Sequence, residues 1–262
     1  MLQLDLGYLR DLLTTVGRDE QLTRFEQVSS QKKADGSLVT EADINSQRLI
    51  QQALQEKWPE TAFLGEEMSP EEQLAAMSDE AIPLWVLDPL DGTTNYAGGI
   101  PFFGISLALV ESGEVRFGMV YDPSRDECFW AEKGKGTWLN DKPLTLNDGD
   151  VEDLAECVAL LDFKRLEDQV AIKLVTIHPY RSQRSLGSVA LEWCWLAAGR
   201  FQLYLHGGQR LWDYGAGKLI FREAGGAVGG EDEKPPVLKP QQGLAASNER
   251  LLKNWTDFLF HH

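Results

Sequence analysis

Asp88-Pro89-Leu90-Asp91-Gly92-Thr93-Thr94-Asn95 places two carboxylates close together in the chain, directly after the apolar run Leu84-Trp85-Val86-Leu87. A plain strand would point Asp88 and Asp91 to opposite faces. Pro89 breaks the ladder and Gly92 permits a tight turn, so both carboxylates are expected to fold toward one point. Two acids forced together require a cation. Oxygen donors without His or Cys select Mg²⁺, Mn²⁺ or Ca²⁺ over zinc. Gly92-Thr93-Thr94 adds backbone N–H groups and two hydroxyls, and a helix opening there would suit a phosphate. Asp-Pro and Asp-Gly are each ordinary turn residues; the whole combination after an apolar strand is far more specific.

Two more acidic positions are candidates for the same site. Gly65-Glu66-Glu67 follows the short apolar segment Thr61-Ala62-Phe63-Leu64, although Glu-Glu pairs are usually solvated surface. Asp213, in Leu211-Trp212-Asp213-Tyr214-Gly215-Ala216-Gly217, opens an apolar helix that Glu223-Ala224-Gly225-Gly226 closes. An acid in a first helical turn is favoured by the helix dipole alone, yet the small residues after Asp213 leave open space beside it.

These residues need elements to position them. Residues 2–18 and 42–58 carry helical apolar stripes, the second opened by Thr40 as N-cap with Asp43 at the third helical position. Residues 20–39 read as loop or turn, and 68–82 as an acidic surface loop with some helix. Strands are expected at Leu84–Leu87, Phe103–Val110, Val115–Tyr121, Glu127–Glu132 and Gly136–Leu139, in antiparallel succession. The second half alternates: strand Cys157–Asp162, helix Arg165–Val175, helix Ser188–Ala198, strand Phe201–Leu205, helix Trp212–Glu223 and helix Glu249–Leu259. One domain over 1–262 is expected, with a metal-motif half (1–150) and an α/β half (151–262). The class is mixed α+β, with sheets covered by helix layers.

The three acidic motifs, in this order and spacing, resemble the inositol monophosphatase family of lithium-sensitive, Mg²⁺-dependent phosphatases, over nearly the whole chain. Lys33 and Asp43 resemble that family's N-terminal lysine and aspartate, and Gly134-Lys135-Gly136 resembles one of its turns. The resemblance implies a layered αβαβα sandwich, usually a homodimer. It implies that Glu66, Asp88, the Leu90 carbonyl, Asp91 and Asp213 bind up to three Mg²⁺ ions. Glu66 and Thr93 would activate the attacking water, with Asp43 behind them, and the amides of Gly92 and Thr93 would hold the phosphate. Gly187, Ser188 and Val189 resemble the substrate-side segment, to which Asp91 and Asp213 also contribute.

The released alcohol is less defined. Thr94 stands where the nucleotide-bisphosphate branch has a lysine, which favours inositol 1-phosphate or a similar small polyol phosphate. His206 stands seven residues before Asp213, where inositol-specific enzymes usually carry a glutamate. A group that can donate as well as accept changes selectivity. Histidinol phosphate and sugar phosphates, fructose 1,6-bisphosphate included, are therefore alternatives. Lys164, Arg165, Arg181 and Arg184 are basic residues available to a substrate phosphate, though solvated surface charge is their ordinary role. A non-catalytic regulatory protein on the same scaffold is a remote alternative, opposed by the intact Glu66, Asp88, Asp91, Thr93 and Asp213.

The chain has 262 residues, 43% apolar and 25% charged, with 41 acidic against 25 basic side chains. The net charge of −16 argues against a nucleic-acid partner. Three cysteines at no redox or metal spacing suggest neither disulfides nor zinc. The first residues lack a signal-peptide pattern and no apolar run approaches the roughly 20 residues needed for a membrane span. The expectation is a cytoplasmic protein acting on a small phosphorylated molecule. His261-His262 is either native or the remnant of a purification tag.

Overall fold

Leu9, Leu13 and Val16 recur at helical spacing and form the buried side of α1 (Leu6–Val16). Asp5 caps this helix by accepting from the Tyr8 N–H. This computed structural model describes residues 2–25, 30–32, 38–147, 151–230 and 238–260; Lys33 and the terminal His261-His262 lie outside them. The described residues of the segment expected to be loop include helical turns and strands. α1 runs into a π-helical turn, Gly17–Gln21, and a 3₁₀ turn, Leu22–Arg24. A hairpin of β1 (Ser30–Lys32) and β2 (Leu38–Thr40) leads to α2 (Glu41–Lys57). Thr40 opens α2 as expected: its N–H and hydroxyl both donate to Asp43 Oδ2, at 2.7 and 2.5 Å.

β3 (Ala62–Gly65), the short α3 (Pro70–Ala76) and β4 (Leu84–Asp91) follow. α4 (Thr93–Ala97) then leads into a meander of β5 (Gly104–Glu111), β6 (Glu114–Asp122), β7 (Glu127–Glu132), β8 (Thr137–Leu139) and β9 (Lys142–Leu144). The sheet has the order β3-β4-β5-β6-β7-β8-β9. It is antiparallel except for β3, which pairs parallel to β4. The second half supplies β10 (Val158–Asp162), α5 (Asp168–Ile177), β11 (Ser182–Arg184), α6 (Val189–Ala197), β12 (Leu203–Gln209), α7 (Leu211–Glu223), β13 (Ala227–Val228), β14 (Gln241–Ala246) and α8 (Glu249–Phe260). Its sheet has the order β11-β10-β12-β14-β13. α5 begins three residues later than Arg165, which lies in a 3₁₀ turn instead, and β12 continues four residues past Leu205.

Three apolar clusters separate these layers. One packs α1 and α2 on the outer face of the seven-stranded sheet, around Leu13, Ile50, Trp85 and Phe117. The largest packs α6 and α7 between the two sheets. The third packs α5 and α8 on the far face of the smaller sheet, around Leu161, Leu174 and Trp255. The result is the αβαβα sandwich expected from the resemblance.

The site depends on how closely α7 seats on the large sheet. A Cβ at Gly118 of β6 would lie 2.7 Å from the Ala216 Cα of α7. Only hydrogen fits there, so helix and strand backbones touch. Ser106 Oγ donates to the Trp212 carbonyl at 2.8 Å, and Glu223 at the other end accepts from the N–H groups of Gly134 and Gly136, each at 2.9 Å. Gly118→Val is expected to lower stability by at least about 1–3 kcal/mol through overpacking. Urea denaturation measures this; an unchanged midpoint would contradict the close contact.

Candidate active site

The apolar run Leu84–Leu87 forms a fully buried stretch of β4, and the strand continues through Asp91. This corrects the expectation that Pro89 ends the ladder in a tight turn. Asp88 pairs with Ser106 and Asp91 with Gly104, so Pro89 and Leu90 together stand opposite the single residue between those partners. That extra residue is a bulge, and it re-aims one side chain relative to a regular strand. Asp88 and Asp91 consequently share a face. Gly92 then takes a left-handed conformation (φ +94°), and α4 starts at Thr93. A side chain at Gly92 would also press its Cβ to 2.9 Å from the Phe102 carbonyl.

α7 brings the third carboxylate. Asp213 sits in its first turn, where Oδ2 accepts from the Arg210 N–H at 2.7 Å. One carboxylate oxygen from each of Asp88, Asp91 and Asp213 lies within 4.8 Å of the others. The turn after β3 carries Glu66, whose N–H donates to the Leu87 carbonyl at 3.1 Å. Gln73 Nε2 donates to the carbonyls of Gly65 and Glu66, at 3.2 and 3.3 Å, and Gln47 accepts from Glu67 N–H at 3.0 Å.

The electrostatics record how crowded the acids are. Burial, and then the charges of Glu66, Asp91 and Asp213, push the Asp88 carboxyl well above its ordinary range. Burial likewise raises Asp213, helped by Asp91 and Glu66. Asp91 is pushed up to about 7 by burial, even though hydrogen bonds from Ser188 and Ala190 favour its charged form.

The remaining candidates surround this cluster. Asp43 is fully buried, and its Oδ1 accepts from Thr93 Oγ at 3.2 Å. The same hydroxyl lies 3.1 Å from the Leu90 carbonyl, in donating geometry. Ser188 is the N-cap of α6; its Oγ donates to Asp91 Oδ2 at 2.6 Å, and the Ala190 N–H reaches the same oxygen at 2.6 Å. Gly187 is exposed and Val189 half-buried beside them.

His206 is placed differently from a simple substrate contact. It is 3% exposed, with Nε2 donating to Asp162 Oδ2 at 3.0 Å and Nδ1 accepting from the Gly208 N–H at 3.2 Å. Both ring nitrogens are engaged within the protein. Arg165 donates to the same Asp162 oxygen and keeps half of its side chain in solvent. Burial opposes ionisation of Asp162, yet the hydrogen bonds from His206 and Arg165 hold it well below its ordinary range. Arg184 is exposed and bonds to its own strand at Ser182 and Gln183, and Arg181 is also exposed.

Sequence reasoning did not single out Asp162, Glu192, Asn95 or Gln21. Gln21 is buried and donates from Nε2 to the Pro89 carbonyl at 2.7 Å, beside the two aspartates. Its location in a π-helical turn is the one local signal, and such turns are frequent at functional sites.

Comparison with known proteins matches the inositol monophosphatase family description to residues 8–258. Nus factor SuhB of Pasteurella multocida is 36% identical over 210 residues, 78% of this chain and 76% of that protein. Inositol monophosphatase 1 of Solanum lycopersicum is 36% identical over 234 residues, 87% of this chain and 84% of that protein. The crystal structure of extragenic suppressor protein suhB from Bartonella henselae superposes with a TM-score of 0.81 at 27% identity, covering 97% of this chain and 98% of that one. With its three acidic motifs carried on a layered αβαβα sandwich, the chain belongs to the inositol monophosphatase family.

Proposed function

We propose that the chain is a Mg²⁺-dependent phosphomonoesterase that hydrolyses inositol 1-phosphate or a similar small polyol phosphate. The observation that carries this reading is the convergence of Asp88, Asp91 and Asp213 within 4.8 Å. An all-oxygen donor set of buried or partly buried carboxylates, each raised by burial and by its neighbours, fits a hard divalent cation. Asp88, Asp91, Asp213, Glu66 and the Leu90 carbonyl would hold up to three such ions. Bound Mg²⁺ would supply positive charge for the phosphate oxygens and make water a competent nucleophile near neutral pH.

The chain's own groups do the rest. Asp43 is fixed by Thr40 and accepts the Thr93 hydroxyl hydrogen, which leaves Thr93 Oγ lone pairs to receive a hydrogen from water. Glu66 is the second acceptor, and its charge reaches all three aspartates. Water so oriented attacks phosphorus in line, while the N–H groups of Gly92 and Thr93 receive phosphate oxygens. No covalent phosphoenzyme is required. Gly187, Ser188 and Val189 line the side where the alcohol leaves.

Asp162, His206 and Arg165 favour a second reading of the alcohol. A half-exposed guanidinium held by the partly buried Asp162, itself paired with the buried His206, suits a leaving group that carries an anionic or acceptor-rich substituent, such as a sugar bisphosphate. A panel of phosphate esters at fixed Mg²⁺ tests both readings. Highest kcat/KM on inositol 1-phosphate supports the first, and highest kcat/KM on a bisphosphate supports the second. Hydrolysis of none would overturn the activity and leave the non-catalytic role suggested by the Nus factor names of some relatives. His206→Glu is expected to shift the relative rates across the panel, because it removes the donor to Asp162 Oδ2 and sets a second carboxylate beside it; equal profiles would count against a role for this pair in selectivity.

A further inference from the structure

Glu192 is a buried carboxylate with no part in the chemistry described above. It lies in the first turn of α6, 4% exposed, and one of its oxygens, Oε1, accepts two consecutive backbone N–H groups, from Leu186 at 2.9 Å and Gly187 at 3.1 Å. That doubly anchored turn is the one that swings Ser188 and Ala190 onto Asp91. From the opposite side, Asn95 Nδ2 donates to the Leu186 carbonyl at 2.7 Å and to the Phe102 carbonyl at 2.8 Å. Gly187 abuts the Asn95 amide so closely that an added Cβ would stand 3.2 Å from Nδ2.

We propose that Glu192 and Asn95 are positioning residues that clamp the 186–188 turn so that Ser188 Oγ and Ala190 N–H fix Asp91 Oδ2 and thereby aim the other Asp91 oxygen into the acidic cluster. Directed hydrogen bonds fix this geometry. Asp91 Oδ2 takes two donors at 2.6 Å from residues more than ninety positions away in the chain. A carboxylate held so on one oxygen presents the other in a single direction, and partners of this kind behind a metal ligand commonly affect affinity or activity by about 10–100-fold. Burying a carboxylate merely to brace a loop is expensive. Burial, and then the nearby Asp91 charge, raise Glu192 to about 7.

This inference rests on the metal site in the proposed function, so its test reads metal binding directly. The full chain, wild type and variants, is titrated with Mg²⁺ by calorimetry, alongside kcat and KM for inositol 1-phosphate. Glu192→Leu is expected to raise the Mg²⁺ dissociation constant and lower kcat, each by about 10-fold or more, with little change in KM. Glu192→Gln keeps an oxygen in place for both N–H groups and should recover most of the loss. Asn95→Ala attacks the clamp from the other side and should reproduce the Glu192→Leu shift. Wild-type Mg²⁺ affinity in Glu192→Leu, or no recovery in Glu192→Gln, would overturn the proposal. Should Glu192→Leu fail to fold, wild-type Mg²⁺ affinity in Asn95→Ala would overturn it equally. A wild-type chain that binds Mg²⁺ but hydrolyses no ester would refute the phosphatase reading alone, because the calorimetric comparison would still decide the clamp.

Discussion

Asp91→Asn is expected to lower kcat on the best ester by on the order of 10³, as loss of a group that organises transition-state charge does, while the folded structure persists. The asparagine carbonyl can still accept from Ser188 Oγ and the Ala190 N–H, so the α6 turn keeps its anchor. Its NH₂ then points into the cluster, where an oxygen donor is needed. The same change should raise the thermal midpoint measured in EDTA. It removes one of three buried or partly buried carboxylates whose mutual repulsion and burial push all of their pKa values upward, and a buried charge without its counter-charge is destabilising. Loss of activity together with a higher midpoint in EDTA identifies a functional carboxylate. Retained activity, or loss that accompanies unfolding, would contradict its assignment.

The second large effect is the response of stability to pH with and without Mg²⁺. Burial lifts Asp91 from its ordinary 3.8 to about 7 in the folded chain, and Asp88 and Asp213 move in the same direction. Between those values the folded state binds more protons than the unfolded state. The contribution of these groups to stability therefore falls as pH rises, is largest below about pH 4, and has been lost once pH passes the folded-state values. The cost for Asp91 alone is on the order of a few kcal/mol. A divalent cation reverses it, because the ligands bind deprotonated. Mg²⁺ at a hundredfold excess over its dissociation constant should add about 2.7 kcal/mol. The Mg²⁺-minus-EDTA difference in thermal midpoint should grow from pH 5 to pH 8. Taking the difference cancels groups away from the cluster, such as Asp162, whose lowered pKa acts in the opposite sense. A difference that stays near zero across this range would contradict a cation site at the three aspartates.

How far these features could be read from the chain differs by residue. The Asp88–Asn95 segment was legible because its causes are local: a proline, a glycine and two hydroxyls in eight consecutive positions, directly after an apolar run. The N-cap role of Thr40 was legible for the same reason. The bulge that turns Asp88 and Asp91 to one face was not, since it is defined only against Ser106 and Gly104 of the neighbouring strand. β14 escaped because Gln241–Ala246 has no β-branched residue. Its place between β12 and β13 demands small side chains: an added Cβ on Gly243 would meet Gln209 and Tyr204 at 2.6 Å. His206 looked like the residue after a strand because Gly207 and Gly208 resemble a stop. The strand passes through them, with its register shifting between His206 and Gln209. The pairing of His206 with Asp162 follows from that register, and no spacing along the chain encodes it. Glu192 carries no motif, and Asn95 closes one whose other residues draw the chemistry; the roles of both are visible only where three distant segments meet.

Phosphate release is the most direct measurement of the central claim. The wild-type chain is stripped with EDTA, assayed on inositol 1-phosphate and on a sugar bisphosphate, then assayed again after Mg²⁺ is restored. Negligible release after chelation and full recovery with Mg²⁺ on at least one of the two esters are expected. Release that is unchanged by chelation, or absent on both esters with Mg²⁺ present, would contradict the claim.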